Sequence, residues 1–354
     1  AIDFSTGQVN FAAIGVGAGF LMLGFGVNAL SPKLAGKLQV GMTVIKLIPL
    51  ILMGVVGTIA GLINGTTLDV LNYVNTPAYT PVDGSGFFKA IVGFTFAYEG
   101  WILATSINSE LKDSKKNLPR ALIIGCCVTI VIYALYIWAM SSVGDVETIK
   151  QTWPFGESLP RIAFSKLFGG AVGTIVYVFI TISCLGTMNG LIMACCRNMY
   201  SVSARGMGPR PEFYGYIDEQ NNFSIKSAVL GMMSAGFWYA WTVALWMGGP
   251  GLFGQIHSCE WLAWEPDEIG IICLYLMYIP MMVGLMVKAK ELGFIKRFIL
   301  PGLGVLCCLF FCYAIWIGYG WKQCVGFLVF FAIVMALGWL IEYIRRKQDA
   351  AQAS

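Results

Sequence analysis

The sequence predicts an all-α integral membrane protein, on three observations. Of its 354 residues, 57% are hydrophobic and 12% charged, where an ordinary soluble domain has roughly 45–50% apolar and about 25% charged residues. The mean hydropathy is +0.73. Apolar stretches of the length that crosses some 30 Å of hydrocarbon, about 20 residues, follow one another along the chain, and short connectors hold most of the charge.

Nine stretches are expected to form membrane helices, because a helix satisfies its own backbone groups in lipid. The first covers residues 10–30, where Gly15 and Gly19 offer a small-residue face for close packing. Ser31-Pro32-Lys33 ends it, and the second, at 40–63, is apolar on both sides of Lys46. The third, at 87–107, contains Glu99. Asn117-Leu118-Pro119-Arg120 separates it from the fourth, at 121–143, and the fifth, at 167–195, repeats the small-residue spacing with Gly186 and Gly190. Gly206-Met207-Gly208-Pro209 is a connector rich in helix-ending residues. The last four stretches are 227–248, 268–288, 299–319 and 322–344.

Of the 23 Lys and Arg, 17 lie in one alternate set of connectors, among them Lys33, Lys112, Arg205, Lys288 and Arg345. Five lie in the other, Lys89, Lys150, Arg161, Lys166 and Lys322, and Lys46 stands within a span. Cytoplasmic connectors carry the positive excess. The C-terminus is therefore expected in the cytoplasm and the N-terminus outside, in a multi-pass protein of the cytoplasmic membrane. An outside N-terminus without a signal peptide is accounted for by an odd number of further helices upstream, so the chain is read as a fragment. The net charge of +4 sits in short clusters between apolar runs, which excludes nucleic-acid binding. The pairs Cys126/Cys127, Cys195/Cys196 and Cys307/Cys308 lie in or at the ends of apolar spans and read as packing residues, not as a disulfide scaffold.

Two charges break the apolar pattern. Glu99, in Gly93-Phe94-Thr95-Phe96-Ala97-Tyr98-Glu99-Gly100-Trp101, puts a carboxylate in mid-span, where a charge costs about 2.5–3.5 kcal/mol on insertion scales. It faces a cavity or partner, or else snorkels near a helix end. Lys46 is either a desolvated proton site or cation surrogate, or an interfacial lysine with a buried stem. Gly24-Phe25-Gly26-Val27-Asn28-Ala29 formally fits a dinucleotide fingerprint, but it lies in an apolar helix with no preceding strand. His257, with Cys259, Glu260, Glu265, Asp267 and Glu268 nearby, reads as a solvated acidic loop ahead of a metal site. No metal, cofactor or enzymatic activity is expected.

Three segments resemble the amino acid-polyamine-organocation transporters, most closely their L-type and related bacterial amino-acid permeases. They are Phe96 to Trp101 leading into Ser109-Glu110-Leu111 and Lys116-Asn117-Leu118-Pro119-Arg120; Ser183-Cys184-Leu185-Gly186-Thr187-Met188-Asn189-Gly190 with Arg197 and Ser203-Ala204-Arg205-Gly206; and Lys33 to Gln39 running into Thr43-Val44-Ile45-Lys46-Leu47. Gly206 stands where the family carries an acidic residue. The resemblance implies a LeuT-type fold of two inverted repeats around a midplane site, with residues 1–354 forming one transmembrane domain that holds the family's helices four to twelve. It also implies that the helix unwinds around Phe96, Ala97, Tyr98, Glu99 and Gly100, freeing carbonyls to bind an amino-acid substrate. Phe96 would close over that substrate and Trp101 would shape its pocket. Lys46 would replace a sodium ion, with Ser183 and Asn189 on the facing helix.

The function so implied is sodium-independent secondary transport of amino acids by alternating access, through exchange or proton coupling. The alternative is a vestigial or structural membrane fragment without transport of its own. Besides substrate and bilayer, a partner subunit is not readable, because the loop by which some relatives attach one would lie upstream.

Overall fold

The computed structural model describes residues 2–3, 8–9, 11–67, 84–143, 159–218, 223–247, 259, 261–262, 264 and 269–353. The helices are α1 (Phe11–Leu30), α2 (Pro32–Ile63), α3 (Gly84–Tyr98), α4 (Ser114–Val143), α5 (Leu159–Phe168), α6 (Gly170–Ser203), α7 (Pro211–Tyr214), α8 (Ile225–Met247), α9 (Ile271–Lys288), α10 (Leu300–Tyr319) and α11 (Trp321–Ala353). A 3-10 helix, Trp101–Glu110, follows α3, and a π-helical turn, Ile295–Ile299, precedes α10. A two-residue antiparallel pair, Ile2 with Val9 and Asp3 with Gln8, stands ahead of α1.

Among the described residues, eight helical segments are long and apolar enough to cross a membrane. The remaining predicted stretch, 227–248, is helical as α8 and carries Trp238, Tyr239, Trp241 and Trp246. Aromatics of this kind carry a polar tip on a large apolar body.

Helix boundaries differ from the sequence reading where proline or glycine acts in an unexpected way. Pro32 starts α2 instead of holding a loop open, because the first helical position has no amide bond to lose. The connector between α1 and α2 is thus Ser31 alone. Asn117 to Arg120 likewise lie inside α4, which starts at Ser114. The predicted span 167–195 is cut at Gly169, whose φ of 89° is left-handed, so α5 ends at Phe168 and α6 begins afresh.

The chain forms two compact units. One comprises Ala1–Thr80, Gly100–Gly206 and Arg210–Met233; the other comprises Pro81–Glu99, Met207–Pro209 and Ser234–Ser354. In the first, α2, α4, α5 and α6 meet around Met53, Ala139, Met140, Ala163, Phe164 and Val176. Here α2 approaches α4 closely through glycine: a Cβ on Gly57 would stand 2.9 Å from that of Ala139, and one on Gly61 2.5 Å from that of Ser142. Lipid gives apolar side chains no reason to leave it, so such small-residue contacts carry helix association. In the second unit, Val92 of α3, Ile271 to Cys273 of α9, Ile315 of α10 and Phe327 of α11 close around Trp264. The outward faces are apolar, as Ile130 and Val131 on α4 illustrate at 54% and 57% exposure.

Candidate functional site

The predicted third span is interrupted where Glu99 and Gly100 form a turn between α3 and the 3-10 helix. Gly100 makes the break possible with a φ of 121°, a conformation closed to side chains with a Cβ. The interruption is narrower than five freed carbonyls. The Phe96 carbonyl accepts the Glu99 amide at 3.1 Å, and the Gly100 carbonyl accepts that of Leu103 at 3.0 Å. Phe96, Ala97 and Tyr98 are exposed, and Glu99, Gly100 and Trp101 half-buried.

Glu99 belongs to the second unit, where it finds a partner the sequence did not suggest. Tyr278, 5% exposed on α9, donates its hydroxyl to Glu99 Oε1 at 2.6 Å. Glu99 Oε2 is buried and has no hydrogen-bond partner among the described residues.

Lys46 lies inside α2, three residues before Pro49, which has no amide hydrogen and cannot bond the carbonyl of Ile45. It is half-buried and makes no hydrogen bond or ion pair with the described residues. The packing of α2 on α6 places it relative to Ser183. A Cβ on Gly190 would lie 3.2 Å from Gln39 Nε2, and one on Gly186 3.0 Å from Met42 Cβ. Gln39, Met42 and Lys46 follow a helical face at spacings of three and four, and Gly190, Gly186 and Ser183 follow one in the opposite direction. Lys46 and Ser183 are the next positions along these two faces, one on each helix, and no hydrogen bond joins them among the described residues. The Ser183 carbonyl accepts Thr187 Oγ1 at 3.1 Å.

One turn along this interface lies a buried amide junction. Asn28 Nδ2 of α1 donates to Gly24 O and to Asn189 Oδ1 of α6, both at 2.9 Å. Asn189 Nδ2 donates in turn to Ala35 O at 3.1 Å and Gln39 Oε1 at 3.0 Å, both on α2. Asn28 is 2% and Asn189 6% exposed. Here too glycine sets the approach: Gly24 meets Ile192, whereas Gly15 and Gly19, the pair expected to pack, meet nothing within 4 Å.

The described residues hold no group of three potential metal ligands. His257, Glu260, Glu265, Asp267 and Glu268 lie outside them.

Interrupted membrane helices, a carboxylate at the break and a half-buried lysine within an apolar helix suit a carrier better than a channel or an enzyme. A model of the amino acid permease family matches residues 1–341. The chain belongs to that family. Curated relatives agree: the permease is 27% identical over 191 residues to the serine/threonine exchanger SteT of Bacillus subtilis, covering 54% of this chain and 41% of the exchanger. It is 25% identical over 277 residues to the aspartate-proton symporter of the same organism, covering 75% and 49%. Over 189 residues it is 25% identical to the human cystine/glutamate transporter, covering 52% and 35%. Each match spans less than half the length of the relative. The permease is a multi-pass membrane protein of a transporter family, not of an enzyme family.

Sequence reasoning missed Asn28 and Tyr278. An asparagine among apolar residues at 28 was a readable signal, since a buried amide requires partners. A tyrosine in an apolar helix is common enough to carry none.

Proposed function

We propose that this permease carries amino acids across the cytoplasmic membrane by alternating access, without sodium, by exchange or together with a proton. The observation that carries this reading is the turn at Glu99–Gly100 inside a membrane span of a permease-family chain. Backbone that leaves a helix at membrane depth is tolerated where it faces protein or a polar cavity. Phe96, Ala97, Tyr98, Glu99, Gly100 and Trp101 would then meet the substrate, with Phe96 closing over it and Trp101 shaping its pocket. Lys46 would stand where a sodium-coupled carrier binds its ion, with Ser183 on the facing helix. One similar protein is named an exchanger and another a proton symporter, which fits the two coupling modes.

The test is uptake of a labelled amino-acid panel into proteoliposomes, with unlabelled amino acid inside or absent, in sodium and in potassium buffers. Uptake that depends on internal amino acid identifies exchange. Uptake driven by an inward proton gradient alone identifies symport, and loss of uptake in potassium buffer would contradict sodium independence. No uptake under any of these conditions would favour a membrane component without transport of its own.

A further inference from the structure

A carboxylate in a membrane helix must be answered by a donor, a cation or a proton. Around Glu99 the described residues supply a donor to one oxygen only. Tyr278 holds Oε1 at 2.6 Å, while Oε2, shut away from solvent, meets no hydrogen-bond partner, and Glu99 forms no ion pair among the described residues. Among the described residues, the other titratable groups close enough to interact electrostatically with Glu99 are Tyr275, one turn back along α9, and Cys308 on α10. Neither carries positive charge in any state. A bare negative charge on an oxygen so enclosed is the costly state, and a carboxyl relieves it by taking up a proton.

We propose that Glu99 and Tyr278 form a proton-binding site in which Oε2 carries the proton and the Tyr278 hydroxyl holds Oε1. Uptake is a single step: H+ from water adds to the carboxylate, no other bond changes, and Tyr278 keeps its own proton as the donor. Release leaves a carboxylate still held by Tyr278, which is therefore a positioning residue. The site rests on this geometry, whereas a role for its proton in transport rests on the permease reading above.

Infrared spectroscopy of the purified 354-residue chain at pH 7, in a detergent without ester groups, reads the carboxyl directly and without substrate. Solvated carboxyls are ionised at this pH, so the expected result is a protonated-carboxyl C=O band that shifts in D2O. Glu99→Gln should remove it, and Tyr278→Phe should move its frequency because one hydrogen bond to the carboxyl is lost. Absence of the band in the unaltered protein overturns the proposal even if neither variant folds. Carboxylate bands that change when lysine is added, and vanish in Glu99→Gln, would assign Oε2 to an ammonium group instead. A band that survives Glu99→Gln in a variant with an unaltered circular dichroism spectrum would place the proton elsewhere. Failure of amino-acid uptake would leave the band in place, so the two readings fail separately.

Discussion

At the scale of single residues, the polar groups within the apolar helices divide into those with partners and those without. Asn189 joins three helices through hydrogen bonds to Asn28, Ala35 and Gln39. Replacing it with leucine leaves one Asn28 Nδ2 hydrogen and Gln39 Oε1 without their partners, at a cost of about 1–3 kcal/mol per buried unsatisfied group. Asn189→Leu should therefore lower the unfolding temperature of the detergent-solubilised protein, and an unchanged temperature would show that the junction holds nothing together. Lys46 differs in having no such bond among the described residues. If it stands in for a cation, Lys46→Ala should abolish uptake while expression stays intact, and uptake at the original rate would rule that role out. The presence of Lys46 and Glu99 was legible in the sequence because a charge in an apolar run is conspicuous. Their surroundings were not, since Tyr278 is 179 residues from Glu99 and nothing local marks the pair.

Among the elements, α2 is the informative case. Its 32 residues span about 48 Å at 1.5 Å per residue, well beyond the roughly 30 Å of hydrocarbon. The excess lets the turns bearing Lys33 and Lys37 reach water while Lys46, four turns in, stays within or at the edge of the apolar layer. The interrupted third span makes the opposite point about glycine. At Gly100 a Cβ would meet nothing within 4 Å, so only the φ of 121° requires glycine there. At Gly61 the backbone is ordinary helix and the neighbour Ser142 fills the space. Gly100→Ala should thus cost about 1–3 kcal/mol through torsion and reduce uptake by resetting the turn, measurable as a loss of transport larger than the loss of folded protein. Gly61→Leu should instead lower the yield of folded protein outright. On the outward face of α4, Val131→Lys places a charge in lipid at about 2.5–3.5 kcal/mol, and the fraction of chain recovered as an integral membrane protein should fall.

For the molecule as a whole, the distribution of Lys and Arg predicts which connectors face the cytoplasm. Single cysteines placed at Lys116 and at Lys166, in a background without the eleven native cysteines, should react with an impermeant maleimide from opposite sides of the membrane. Labelling of both from one side would overturn the orientation. The membrane class, the sequence of spans and the two anomalous charges were determined by the sequence alone, because hydrocarbon tolerates no unsatisfied backbone and few charges, so each span and each exception leaves a local mark. The resemblance of Phe96 to Trp101 to known permeases implies an unwound stretch from Phe96 to Gly100, and the turn at Glu99–Gly100 lies at its end. What only the tertiary structure decided was which faces meet: Gly24 rather than Gly15 or Gly19 against α6, Asn28 with Asn189, Gly186 and Gly190 against Met42 and Gln39, and Tyr278 on Glu99. In lipid an apolar face and a packing face are made of the same residues, so sequence pattern cannot separate them, and the choice falls to close contact and hydrogen bonds between residues far apart in the chain.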